Sequence, residues 1–139
     1  GQDGSGWGMY GRRYDSAGNA GAEFRVNTTT FSDQFGGDVA GLSGGGFAVA
    51  WTSSAQDGDQ GGIYAQRYDA AGAPVGGEFR VNTTIAGWQA GPAVAALGDG
   101  GFVVEWNSSG NTVSGQVAFS GTATGRPCSC GPSFQSPRA

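Results

Sequence analysis

The carboxylates whose spacing suits chemistry are few. Asp57-Gly58-Asp59 lies in a polar loop with Gln60, and Asp3 with Ser5 occupies the matching loop near the start of the chain. Alternating Asp side chains in a loop supply the hard oxygen ligands of which calcium takes about six to eight. Asp3, Asp57 and Asp59 are therefore the metal candidates, with calcium the one ion they suggest and no other cofactor implied. The run lacks the distant acid of a complete calcium loop, and Asp-Gly is also an ordinary turn.

Aromatic and amide side chains offer two further chemistries. Trp7 and Trp88 sit in loop-like sequence, where an indole face can stack on the apolar C–H surface of a sugar, so carbohydrate is a candidate partner. Trp51 and Trp106 end apolar runs and read as core. Asn27-Thr-Thr, Asn82-Thr-Thr and Asn107-Ser-Ser match the acceptor pattern for N-glycosylation. Asn closing a strand is also a common turn residue.

Catalysis has little to work with. The chain has no His and no Lys, which removes the commonest general base and the usual amine nucleophile. The two cysteines, Cys128 and Cys130, are too close together to define a redox compartment; a strained local disulfide, two intermolecular ones or no bond at all remain open. The composition reads as a non-enzyme. Seven Arg against eleven acids leave a net charge of −4, which argues against nucleic acid or an anionic membrane as partner. No apolar run reaches membrane-spanning length. The chain opens at Gly1 without a Met or an apolar leader, which reads as a processed or excised chain.

The elements that position these residues come from a phrase used twice. YGRRYDSAGNAGAEFRVNTT from Tyr10 returns as YAQRYDAAGAPVGGEFRVNTT from Tyr64, an offset of 64 − 10 = 54. Phe24-Arg-Val-Asn27 returns at Phe79–Asn82, an offset of 79 − 24 = 55, so the second copy gains one residue in its turn. The 29 glycines follow no collagen period and cluster between apolar runs, which fits short strands and tight turns. A fixed repeat of this kind has to be read before anything else about the fold.

Each period predicts four strands and no helix. One starts at about Trp7–Tyr14 and Ile63–Tyr68; Tyr64, Gln66 and Tyr68 share one face, Ile63, Ala65 and Arg67 the other. Turns at Asp15–Gly18 and Asp69–Gly72 lead to strands at Glu23–Asn27 and Glu78–Asn82, with a cross-strand Arg67–Glu78 pair expected. Asp38–Leu42 and Pro92–Leu97 follow, then the strongest strands, Phe47–Trp51 and Phe102–Trp106. Phe47, Val49 and Trp51 alternate with Ala48 and Ala50, so neither face is polar and both are expected to be buried. The recurring Arg13 and Arg67 read as contacts between repeats. Glu105 breaks the apolar pattern; it is either paired internally or marks a face left open.

The expected fold is all-β: about two and a half four-stranded, blade-like repeats, propeller-like or solenoid. Residues 1–37 hold the C-terminal half of a first repeat, 38–91 a complete one, 92–109 the N-terminal half of a third, and 110–139 a divergent tail. The tail keeps spacing but loses wording: Phe134 stands 134 − 79 = 55 after Phe79, whereas AFSGTATGRP replaces the QRYD phrase. Both ends therefore cut a four-strand unit in half, and open strand edges seek partners. Phe102, Val104 and Trp106 at one end and Tyr10 and Tyr14 at the other are the expected assembly residues, joining copies head to tail in a ring or filament.

The words IYAQRYDAAG, GGEFRVNTT, PAVAALGDGGFVVEW and QDGDQGG resemble tandem repeats of large bacterial surface and secreted proteins of the adhesin type. The resemblance spans about residues 1–109. It implies an extracellular or cell-surface β-repeat with a structural or adhesive role, and it carries over no catalytic motif.

Overall fold

A computed structural model describes residues 1–109 and 116–119. The strands are β1 (Tyr10–Tyr14), β2 (Ala20–Arg25), β3 (Gln34–Gly41), β4 (Phe47–Ser54), β5 (Gly61–Tyr68), β6 (Pro74–Arg80), β7 (Gln89–Ala96), β8 (Phe102–Ser108) and β9 (Gln116–Phe119). They form three antiparallel sheets, ordered β1-β2, β3-β4-β5-β6 and β7-β8-β9. The described chain is all-β, and none of its segments is a helix that is long and apolar enough to cross a membrane.

The middle sheet, β3 to β6, is a four-strand meander running from Gln34 to Arg80. Its central strands are buried on both faces because each face meets a different neighbour. Ala48, Ala50, Ile63 and Ala65 pack against Phe102, Val104 and Trp106 of the third sheet. Val49, Trp51, Tyr64 and Tyr68 pack on the other side against Val26, with Met9, Phe24 and Phe47 completing the layer. Small residues on one face accept the bulky residues of the next sheet, as close packing requires. The Phe47 and Tyr68 rings stack at 4.6 Å, and Phe24 tilts onto Tyr68 at 5.5 Å.

Several boundaries differ from those expected. β3 and β7 begin earlier, at Gln34 and Gln89, because each carries a bulge, between Phe35 and Asp38 and between Ala90 and Ala93. Gly36 (φ 59°) and Gly91 (φ 65°) supply the left-handed residue that lets the strand continue through the bulge. The Arg67–Glu78 pair does not form. A further bulge places Arg67 opposite Val75, and Glu78 turns to the first repeat, accepting the Thr28 N–H at 2.7 Å and the Thr28 hydroxyl at 3.0 Å.

The larger correction concerns the C-terminal half-unit. Phe102–Trp106 was expected to present a bare edge, but β9, from the divergent tail, pairs with Phe102–Glu105 of the same chain. Unpaired backbone groups along a sheet edge take the nearest available strand, and the tail is tethered a few residues away. Residues 110–115 and 120–139, including Cys128 and Cys130, lie outside the described residues.

Candidate assembly interface

The repeated loops are organised by two copies of one buried polar cluster. Asn82 Oδ1 accepts the Ile63 N–H at 2.7 Å. Its Nδ2 donates to the Thr84 carbonyl at 2.8 Å, to Gln89 Oε1 at 3.2 Å and to Asp57 Oδ2 at 3.3 Å. Asn27 does the same with Met9, Thr29, Gln34 and Asp3. Gln34 and Gln89, both fully buried, close the clusters by donating to the Phe31 and Ala86 carbonyls. Sequence reasoning missed the two glutamines, although their seven-residue spacing from each Asn was visible in both repeats.

This cluster reassigns several sequence candidates. Asn27 and Asn82 are 1% and 2% exposed, with Nδ2 fully engaged, so the folded chain offers no glycosylation acceptor at either; Asn107 is exposed. Asp3 and Asp57 are committed to the two asparagines, and Asp59 accepts the Gly87 N–H at 2.8 Å. Asp3 and Asp57 belong to different repeats, and among the described residues no three acidic or cysteine side chains are grouped to hold a metal. Partial burial pushes the Asp3 carboxyl up, but the Asn27 amide and the Ser5 N–H more than offset it, leaving the group below its ordinary value.

The tryptophans separate. Trp88 lies over Gly61, where an added Cβ would fall 2.4 Å from the ring, so a bare backbone is needed beneath it. Trp7 is 70% exposed and meets Phe35 edge-on at 6.4 Å.

At the N-terminal half-unit, among the described residues, β1 pairs with β2 along one side only. Beside its other edge runs an apolar groove of about 340 Å³, walled by Met9, Gly11, Phe24, Val39, Phe47 and Val49. Tyr10, the two arginines Arg12 and Arg13, and Asp38, whose carboxylate is taken by the Val94 N–H, line it as well. Arg13 is fixed there: its Nη2 donates to the Ala70 carbonyl at 2.6 Å, and its guanidinium lies 6.0 Å from the centre of the Phe47 ring. This is the contact between repeats that the recurring arginine suggested. Tyr14 is 64% exposed.

At the C-terminal half-unit, the expected assembly side chains point inward. Phe102, Val104 and Trp106 are core residues of their own chain. The opposite face of β8 is the open one: Glu105 is exposed and Val103 half-buried, beside the exposed Ala93 and Ala95 of β7. No family model matches this chain, and neither a curated protein nor a solved structure matches it significantly.

Proposed function

We propose that the protein is an extracellular, non-enzymatic structural subunit that assembles with copies of itself through its two incomplete sheets. The observation that carries this reading is the groove along β1, an apolar slot with an unpaired strand edge where the complete repeat has two further strands. Exposed strand edges next to apolar surface are sites of chain association.

Direct contacts between neighbouring sheets support a propeller-like reading of their arrangement. β7 meets β3 through the Val94 N–H bond to Asp38 Oδ2, at 2.7 Å, and meets β4 through Gly91 N–H to Thr52 Oγ1 at 3.2 Å. With β9 set aside, the four-stranded sheet and the pairs β1-β2 and β7-β8 give each copy two blades' worth of strands. Rings of two, three or four copies would then hold four, six or eight blades, spanning the roughly four to eight common in closed propellers. If the rotation does not close, the same contact runs on as a filament. The resemblance to repeats of bacterial surface proteins supports a location outside the cell and a structural or adhesive role.

Native mass spectrometry with negative-stain microscopy tests this. Discrete oligomers or filaments at micromolar concentration are expected, and a well-folded monomer under those conditions rejects the proposal. A second reading, carbohydrate binding, draws on the exposed indole of Trp7. It predicts glycan-array signals that disappear in Trp7→Ala.

A further inference from the structure

We infer that the groove beside β1 receives strand β8 of a second copy, in a single register that seats Glu105 of that copy against Val39 and Arg13. This rests on the self-assembly reading and gives it a specific contact.

The register follows from the repeat. In the complete sheet β4 and β5 pair Phe47 with Tyr68, Ala50 with Ala65 and Trp51 with Tyr64. Adding 55 to the β4 numbers and subtracting 54 from the β5 numbers pairs Phe102 with Tyr14, Glu105 with Gly11 and Trp106 with Tyr10. The faces then match. Ala48 and Ala50 are fully buried because they point at the following sheet. Their β8 equivalents, Val103 and Glu105, sit on the open face, and in this register they enter the groove, against Phe47 and Val49.

Glu105 is the informative residue, because the acid has moved across its strand pair. In the complete sheet Asp38 stands opposite Ala50; in the third sheet Ala93 stands opposite Glu105. Asp38 uses its position to accept the Val94 N–H of the next sheet at 2.7 Å. Subtracting 55 from Val94 gives Val39, which lines the groove. Glu105 of an incoming copy therefore takes the role of Asp38, accepting the Val39 N–H from the opposite strand. Arg13 is on the diagonal from Glu105, on the same face as Gly11, and long side chains meet across that diagonal. A carboxylate entering an apolar slot is costly unless it is paired and hydrogen-bonded. The groove supplies both partners, and the pairing selects the register.

The test is assembly of the full chain and two charge variants, followed by light scattering and sedimentation. Glu105→Arg changes an exposed residue and leaves the fold intact. It is expected to raise the critical concentration about 100-fold, since like charges placed together cost several kcal/mol. Arg13→Glu is expected to do the same. Mixed in equal amounts the two variants assemble again, because each contact between unlike copies pairs Arg with Glu. If the wild type assembles and Glu105→Arg assembles equally well, the register is overturned while self-assembly stands. A mixture that stays monomeric overturns the Arg13 contact. A wild-type chain that is itself monomeric removes the parent reading.

Discussion

Asn82 accepts the Ile63 N–H at 2.7 Å, holding the entry of strand β5 to the end of β6. Asn27 holds the entry of β1 in the same way, through Met9. Each asparagine spends its remaining donors on a carbonyl, a glutamine and an aspartate, so one side chain ties three loops together. Replacing Asn82 by Ala leaves several buried groups unpaired, each at about 1–3 kcal/mol. A fall in stability of at least about 3 kcal/mol is expected in urea unfolding. The Asn27→Ala variant should lose less, because its half-unit supports fewer strands. Expressed in a glycosylating host, the folded chain should carry sugar at Asn107 and at neither Asn27 nor Asn82, as peptide mass mapping would read.

The aromatic layer between the first two sheets sets an alkaline limit. Burial raises the Tyr64 phenol above its ordinary value, helped by the Asp57 and Glu78 charges and opposed by Arg80. Burial raises Tyr68 as well, and its hydroxyl donates to the Val26 carbonyl at 3.4 Å. A raised folded-state pKa means that the folded form holds its proton more tightly than the unfolded chain. The stability from these groups is fully present below the ordinary tyrosine pKa of about 10 and is lost as pH rises beyond it. Circular dichroism should therefore show unfolding in strong alkali coincident with tyrosinate absorbance. Tyr68→Phe, which keeps the ring stack, should move that transition upward.

Strand β9 and an incoming β1 compete for one edge. β9 pairs only Phe102–Glu105, whereas β1, Tyr10–Tyr14, is long enough to pair Trp106 as well. On the assembly reading, a second copy's β1 offers β8 the longer ladder, and β9 covers the edge until that copy arrives. A proline within β9 removes a backbone donor and cannot sit in the ladder. The full chain carrying Val117→Pro and Ala118→Pro should assemble faster than wild type by light scattering. Equal or slower assembly would show that β9 does not restrain it.

Much of this was legible from residue order alone. The alternation Phe47-Ala48-Val49-Ala50-Trp51 announced a strand buried on both sides, because a half-solvated strand would carry polar residues on one face. The repeat offset placed the cut between half and whole units, and it marked Glu105 as a residue out of pattern. The bulges at Gly36 and Gly91 stayed hidden, since a glycine in an apolar run signals a turn as readily as a kink. The partners of Asn27, Asn82, Arg13 and Glu78 stayed hidden for a related reason. A side chain's type says what it can bond, but the choice among donors and carbonyls is made when sheets from different repeats come within about 3 Å.

The periodic wording of the chain was enough to determine an all-β architecture, because strand-length alternation and turn chemistry are local properties. Only the tertiary structure decided which face of each half-unit remains open, that the tail lends a strand to β8, and that a groove is left beside β1. Those outcomes depend on which surfaces find partners first, and backbone hydrogen bonding and close packing settle that in space, between residues far apart in the sequence.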